Sequence, residues 1–257
     1  MDWESLIHIW IIVCPLVFLG GLIDAVAGGG GLITLPAYLL AGMPPHAASA
    51  TNKCGNVWGT LLATARFLRR GNVDLPNALC GGAAALVGAW IGVKLNLILP
   101  ERVLYYVMLV FVPLMAVFLL FKREFGQENH ADELGKPTLM FLSAGIGLVI
   151  GAYDGFFGPG AGTLLMLAYT GLCKYDLLTA SGNTKVANSA SNIASLVTFA
   201  MAGQVVWAVG IPAGLCGIAG GYLGSGLALK KGAKIIRPMF FVVLAILVIR
   251  LVYDLVL

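Results

Sequence analysis

Charge is scarce in this chain of 257 residues. Only 11% of the residues are Asp, Glu, Lys or Arg, whereas a typical soluble domain carries about 25%. The mean hydropathy is +0.92, and 59% of the residues are hydrophobic. This composition excludes an ordinary water-soluble domain and predicts an all-α, polytopic membrane protein. The net charge of +4 does not indicate nucleic-acid binding, because most of the basic residues fall in loops between apolar segments.

Metal-ligand and catalytic patterns are also missing. The five cysteines have no CxxC spacing, and the three histidines (His8, His46 and His130) are isolated from one another, so neither a disulfide framework nor a metal site is expected. We find no Ser/His/Asp set, no paired carboxylates and no ATP-binding motif, which argues against an enzyme, a cofactor and an ATP-driven pump. The first residues lack a basic region, so we expect no cleaved signal peptide.

Hydrophobic runs are what the sequence has in abundance. A helix needs about 20 apolar residues to cross the hydrocarbon core. Runs separated by polar or Gly/Pro-rich breaks predict ten helical segments: 5–27, 31–42, 46–68, 75–96, 102–121, 137–157, 161–172, 177–201, 205–229 and 235–256. Two of these segments, 31–42 and 161–172, are too short to cross as ordinary helices, and each follows a glycine-rich break.

The distribution of basic residues indicates that the short segments change side. If each short segment counts as a crossing, eleven of the sixteen Lys and Arg residues fall on one side: Arg66, Arg69, Arg70, Lys122, Arg123, Lys136, Lys174, Lys230, Lys231, Lys234 and Arg237. By the positive-inside rule this side is the cytoplasm. Both termini are then predicted to lie outside.

The two halves of the chain resemble each other. The segment Asp24–Gly28 matches Asp154–Gly158 at an offset of 130 residues, and Lys53 matches Lys185 at an offset of 132. Five segments per half is an odd number, so the second repeat is expected to be inverted relative to the first. We predict a first repeat at 1–122, a cytoplasmic linker at 123–136 and a second repeat at 137–257. Inverted repeats with broken helices are typical of secondary transporters with a site near the midplane.

Each repeat carries one polar stripe with a lysine in an otherwise apolar segment. Spacings of four, seven and eleven residues place each stripe on a single helix face; the members are Ser49, Lys53, Asn56 and Thr60 in one half and Ser181, Lys185, Asn188 and Asn192 in the other. A charge deep in the bilayer costs about 2.5–3.5 kcal/mol on insertion scales. The stripes therefore predict a midplane anion site. Two alternatives stay open: each lysine pairs with a carboxylate to lock helices together, or it extends to the membrane surface.

The glycine-rich breaks favour an anion as well. Each break precedes a short helix, whose free N–H groups attract negative charge, although close helix packing also explains glycines. Asp24 and Asp154 each lie four residues before a break. They form fixed pairs with Lys53 and Lys185, or they titrate and couple transport to protons.

Several of these motifs resemble those of the sulfite exporter TauE/SafE family, also called the four-toluene-sulfonate uptake family. The resemblance rests on the stretch from Gly21 to Leu32, on Thr51-Asn52-Lys53, and on the second-half stretches 154–160 and 182–185. It implies a bacterial or archaeal inner-membrane transporter of sulfite, sulfonates and related sulfur anions.

We therefore expect a secondary transporter of small sulfur-containing anions, most simply an exporter that works by alternating access. The expected substrate-binding residues are Lys53, Lys185, Asn52, Asn56, Asn183, Asn188, Asn192, Gly29, Gly30 and Gly160, with Asp24 and Asp154 in coupling or charge pairing. The partners are the anion and the lipid bilayer; proton or ion coupling and a homodimer stay open. A channel-like pathway, or a carrier of carboxylates, is the alternative.

Overall fold

A computed structural model describes residues 3–104, 106, 107, 110 and 128–231. Besides a helical stretch that begins at residue 101, these residues form one 3-10 helix (Ala131–Leu134) and eight α-helices. The helices are α1 (Trp3–Ala27), α2 (Gly31–Leu40), α3 (Pro45–Arg69), α4 (Leu75–Ile98), α5 (Lys136–Phe156), α6 (Ala161–Gly171), α7 (Leu177–Met201) and α8 (Trp207–Lys231).

The all-helical architecture predicted from the sequence is confirmed for the described residues. Each of the eight helices begins and ends within two residues of a predicted segment. The predicted segment 235–256 lies outside the described residues, as does most of 102–121 and the first part of the linker 123–136. The count of ten segments and the domain boundaries therefore stay predictions.

The outer surface of the helices is apolar. Four of the described helices, α1, α4, α5 and α8, are long and apolar enough to cross a membrane. Large hydrophobic side chains on them face outward; Phe141 is 80% exposed, Val149 68% and Leu215 65%. Such a surface is unfavourable in water and favourable against lipid tails. The chain is a multi-pass membrane protein, and its more polar helices α3 and α7 lie inside the bundle.

Glycines bring α4 and α5 into backbone contact. A Cβ atom at Gly88 would overlap with the carbonyl oxygen of Leu148, and a Cβ atom at Gly92 would overlap with that of Ala152. Only glycine permits this approach, which is how small residues join helices in membranes. The contacts advance along both helices in the same direction, so α4 and α5 are parallel.

The same contact recurs between α1 and α8. A Cβ atom at Gly220 would overlap with the Phe18 carbonyl oxygen, and one at Gly224 would overlap with that of Leu22. These two glycines follow the two on α4 by 132 residues, and their partners precede those on α5 by 130. Helices α1 and α8 are therefore parallel, and both contacts join one half of the chain to the other.

Helix α3 is also parallel to α8, which fixes the direction of α2. Cys54 contacts Gly210, and Trp58 contacts Gly214 one turn further along both helices. Since α1 and α3 both run with α8, the chain must return between them through residues 28–44. Helix α2 has 10 residues and spans about 15 Å, roughly half of a bilayer core of about 30 Å.

Candidate functional site

The two polar stripes face each other where α3 and α7 cross. Lys53 is 4% exposed and Lys185 is 1% exposed, so both lysines are buried between helices. Thr64 joins the two helices: its Oγ1 lies 2.9 Å from the Lys185 carbonyl oxygen and 2.8 Å from Ser189 Oγ. The polar faces predicted from helical spacing therefore lie inside the bundle and not towards lipid.

The two glycine-rich breaks meet beside these stripes. Gly28 has φ +77 and Gly158 has φ +98, values in the left-handed region that glycine adopts without strain. A Cβ atom at Gly28 would overlap with the backbone of Gly162, and a Cβ atom at Gly31 would lie 3.2 Å from the Cα of Pro159. The sequence ends both long helices at glycine, and the absence of side chains lets the two breaks pack against each other.

Lys53 forms an ion pair with a carboxylate of the other half. Its Nζ lies 2.8 Å from Asp154 Oδ1, and both side chains are almost fully buried, at 5% and 4% exposed. Ser191 Oγ donates a hydrogen bond to the second carboxylate oxygen, Asp154 Oδ2. A buried charge is stable only when its partners are close and well oriented, and this carboxylate has two.

Lys185 forms the reciprocal pair. Its Nζ lies 3.3 Å from Asp24 Oδ2 and also donates a hydrogen bond to the Asp24 backbone carbonyl oxygen. The Asp24 side chain is 19% exposed, more than that of Asp154. Each lysine therefore pairs with the aspartate that precedes the break of the opposite repeat, and neither aspartate pairs with the lysine of its own repeat.

A small polar cleft lies among these groups. It is lined by Asp24, Gly28, Gly31, Asn52, Lys53, Asn56, Thr60, Asp154, Gly158, Gly162, Asn188 and Asn192. Its volume of about 20 Å³ has room for about one water molecule. Two ammonium and two carboxylate groups surround this space, so the formal charges of Lys53, Lys185, Asp24 and Asp154 sum to zero.

Asparagine amides connect the two stripes to this cleft. Asn56 Nδ2 donates to Asn52 Oδ1 at 2.9 Å and to Thr34 Oγ1 at 3.1 Å. In the other half, Asn192 Nδ2 lies 3.3 Å from Asn188 Oδ1. These amides carry both donors and acceptors, which is the chemistry needed to hold an oxyanion or water.

Most of the predicted site residues come together, but four do not line the cleft. Asn52, Lys53, Asn56, Asn188, Asn192 and both aspartates line it, and Lys185 reaches it through its pair with Asp24. Asn183 lies elsewhere: its Oδ1 accepts a hydrogen bond from the Asp74 backbone N–H at 2.9 Å. Gly29, Gly30 and Gly160 are not among the lining residues. The glycines that line the cleft are their neighbours in the same breaks.

Two of the functional contacts had no signal in the sequence pattern. Ser191 holds Asp154, and it is six residues from Lys185, a spacing that places it off the predicted stripe. Thr34 holds Asn56, and it lies on the apolar helix α2. Only the packing of helices distant in sequence brings these hydroxyls to their partners. Among the described residues, no three His, Cys, Asp or Glu side chains form a group that could bind a metal ion.

Known proteins with similar sequences are membrane transporters. A model of the sulfite exporter TauE/SafE family matches residues 13–251. The probable membrane transporter protein YfcA of Escherichia coli (strain K12) is 36% identical over 239 residues, covering 93% of this chain and 88% of that protein. A probable membrane transporter protein of Sinorhizobium sp is also 36% identical, covering 96% of this chain and 94% of its own length.

A probable membrane transporter protein of Haemophilus influenzae is likewise 36% identical, with 92% of each chain covered. No solved structure matches this chain. The family match covers most of the sequence, including both lysines, both aspartates and both breaks. The chain belongs to the sulfite exporter TauE/SafE family of membrane transporters.

Proposed function

We propose that the protein is a secondary transporter that exports a small sulfur-containing anion, sulfite or an organosulfonate, by alternating access. The observation that carries the proposal is the reciprocal pairing of two buried lysines with aspartates of the opposite repeat, next to a polar cleft. Buried ionisable residues in a membrane protein are expensive and typically mark a transport pathway.

The amides beside the ion pairs favour a binding site over a purely structural lock. A lock between helices needs only the lysine and its carboxylate. Here Asn52, Asn56, Asn188 and Asn192 also line the cleft, and their amides are suited to the oxygens of a sulfite or sulfonate group. An anion would then compete with Asp154 for Lys53 and with Asp24 for Lys185.

The small size of the cleft means that the helices must move when an anion binds. A volume of about 20 Å³ accommodates about one water molecule, whereas sulfite has four heavy atoms. The glycine-lined crossing of the two breaks is where such a movement meets the least side-chain resistance. Opening towards one side of the membrane and then the other is the cycle that alternating access requires.

The helix directions support two inverted repeats. Helix α5 is the counterpart of α1 and runs parallel to α4. Helix α4 follows α3 after a short turn at residues 70–74, so it runs against α3 and also against α1, which is parallel to α3. The counterparts α1 and α5 then point in opposite directions, as inverted repeats at 1–122 and 137–257 require.

The orientation we propose follows from the charged loops. Eleven of the sixteen basic residues lie on the predicted inner side, which places those loops and the linker 123–136 in the cytoplasm and both termini outside. The relatives are bacterial, so the membrane is the bacterial cytoplasmic membrane. Whether the protein acts as a homodimer is left to solution measurements.

Flux measurements in proteoliposomes test the proposal. The wild-type protein is expected to carry labelled sulfite with a saturable rate, and sulfite on the opposite side is expected to accelerate the flux. Lys53→Ala and Lys185→Ala are each expected to lose sulfite binding in calorimetry. Lys94→Ala is the matched control, because Lys94 is an exposed lysine outside the cleft.

Other outcomes would change the assignment. A flux that does not saturate and shows no acceleration from the opposite side indicates a channel-like pathway. Saturable flux of carboxylates without flux of sulfite or sulfonates indicates a carrier of a different anion class. Unchanged sulfite binding by the Lys53→Ala variant would remove Lys53 from the site.

A further inference from the structure

The two aspartates of the reciprocal pairs have different surroundings. Asp154 is held by two donors, Lys53 Nζ on one carboxylate oxygen and Ser191 Oγ on the other. The Ser191 hydroxyl also lies 3.0 Å from the Asn188 carbonyl oxygen. It has one hydrogen to donate, and an ionised carboxylate is the stronger acceptor.

Asp24 has no counterpart of this hydroxyl. The residue equivalent to Ser191 in the first repeat is Gly59, 132 residues earlier. A side chain at position 59 is blocked, because even a Cβ atom would lie 2.5 Å from the Gly217 carbonyl oxygen. Among the described residues, Lys185 is the one side chain that donates to the Asp24 carboxylate, at the longer distance of 3.3 Å.

Asp24 is also the more accessible of the two carboxylates. Its side chain is 19% exposed and lines the cleft, whereas that of Asp154 is 4% exposed. Two hydrogen-bond donors favour the ionised form of a buried carboxylate, and a single distant donor favours it less. The asymmetry between the repeats therefore gives the two aspartates different chemistry.

The charges around Asp24 come from few sources. Lys185 reaches it from α7, and Lys53 of α3 and Asp154 of α5 share the cleft with it. Helices α2 and α6, which also pack on α1, contain no Asp, Glu, Lys, Arg or His. Arg66 of α3 is bound to Ser225 on α8. The charged residues of α8 itself are at its end, Lys230 and Lys231.

The tyrosines of α2 and α6 are occupied elsewhere. Tyr38 lies against Gly55, and Tyr169 lies against Gly81. Cys14 of α1 contacts Cys216 of α8. The protonation of Asp24 is therefore governed by Lys185 and by whatever enters the cleft.

We infer that Asp24 takes up one proton when the anion binds, whereas Asp154 stays ionised as a fixed partner of Lys53 that Ser191 positions. This inference rests on the proposed function. With both aspartates ionised, the four charged groups of the cleft sum to zero and offer a monoanion no net attraction. When a proton from water converts the Asp24 carboxylate to a carboxylic acid, Lys185 is released and the site has a net charge of +1. That charge matches a monoanion such as a sulfonate or hydrogen sulfite.

The proton and the anion consequently bind together and cross together. A monoanion carried with one proton moves no net charge. The concentration gradient of the anion and the proton gradient then decide the direction of transport, and the membrane potential does not contribute. Anion that accumulates in the cytoplasm leaves down its own gradient.

Anion affinity measured as a function of pH tests this assignment. Methanesulfonate is the probe, because it stays a monoanion from mildly acidic to mildly alkaline buffers, and its binding to the purified full-length protein is followed by calorimetry. Where Asp24 is ionised in the free protein, uptake of one proton requires the affinity to fall about tenfold for each unit that pH rises. Asp24→Asn is expected to bind with no pH dependence. Asp154→Asn is expected to keep the wild-type slope.

Ser191→Ala keeps the test valid if Asp154→Asn fails to fold. Loss of the hydroxyl removes one of the two donors to Asp154, so the slope of this variant is expected to exceed tenfold per pH unit. An unchanged slope would contradict the positioning role of Ser191. Equal loss of pH dependence in the two Asp→Asn variants would overturn the distinction between the aspartates.

The same experiment separates this inference from the proposed function. Methanesulfonate binding with no pH dependence in the wild-type protein overturns the inference and leaves the proposed function standing. Absence of binding by both methanesulfonate and sulfite overturns the proposed function and the inference with it. The ionisation of sulfite itself is common to all variants, so the difference in slope between wild type and Asp24→Asn reports Asp24 with either anion.

Discussion

Lys53 on α3 and Asp154 on α5 form a buried ion pair with an Nζ–Oδ1 distance of 2.8 Å. The two residues belong to different halves of the chain, and each is matched by a residue of the other half that forms the reciprocal pair, Lys185 with Asp24. The two halves are therefore held together by the same residues that line the cleft. Stability and function are coupled at this point of the structure.

Removal of one partner of this pair should cost much more stability than removal of both. Asp154→Ala leaves the Lys53 ammonium buried without its partner, and such changes cost about 3–5 kcal/mol. The double variant Lys53→Met with Asp154→Ala leaves no unpaired charge and should unfold at a temperature closer to that of the wild type. Thermal unfolding in detergent measures the difference. Equal destabilisation by the single and double variants would show that the pair contributes packing and not charge compensation.

The contact between α4 and α5 should not tolerate a methyl group at Gly88. A Cβ atom there would overlap with the Leu148 carbonyl oxygen, so Gly88→Ala must push the helices apart at a cost of about 1–3 kcal/mol. Gly145→Ala is the matched control on α5, because nothing lies within 4 Å of a Cβ atom at that position. Thermal unfolding should separate the two variants. A stable Gly88→Ala protein would contradict the backbone contact.

The break after α1 should be far more sensitive to substitution than an exposed turn of similar backbone conformation. Gly28 has φ +77 and Gly42 has φ +80, so alanine at either position costs about 1–2 kcal/mol in backbone strain. Gly28→Ala also overlaps with the Gly162 backbone, whereas a Cβ atom at Gly42 meets nothing within 4 Å. We expect Gly28→Ala to reduce both stability and anion flux, and Gly42→Ala to reduce stability only slightly. Similar behaviour of the two variants would argue against a close crossing of the breaks.

Two asparagines of α7 should separate stability from binding. Asn188 lines the cleft, whereas Asn183 accepts the hydrogen bond of the Asp74 backbone N–H. Asn183→Ala leaves that donor without its partner and should cost about 1–3 kcal/mol of stability while anion affinity is kept. Asn188→Ala should lower anion affinity, as measured by calorimetry. Loss of affinity in Asn183→Ala at a temperature where it is folded would place Asn183 in the site after all.

The sequence pattern predicted the helices well because their signal is local. The apolar runs of α1, α4, α5 and α8 are long enough to be recognised from composition, and the breaks are marked by clusters of glycine. The periodicity of the stripes also identified Lys53 and Lys185 as the buried cations, because the helical spacing that places polar residues on one face depends on neighbours in the chain.

The partners of those residues depend on tertiary contacts. The sequence left Asp24 and Asp154 with two roles and could not assign either to a lysine. It grouped Asn183 with the cleft residues because Asn183 lies two residues before Lys185, yet the packing of the α3–α4 turn against α7 draws its side chain to Asp74. Ser191 was overlooked because its role exists only through a helix 37 residues away in the chain.

By itself, then, the sequence determined that this is a helical membrane protein of two related halves with one buried lysine in each. Those features follow from hydrophobicity and from helical periodicity, which are properties of neighbouring residues. The tertiary structure decided that each lysine pairs with the aspartate of the opposite half, and that one aspartate has a second donor while the other has none. Such choices depend on which backbones approach closely enough to touch, and the glycines at the crossing of the helices set that distance.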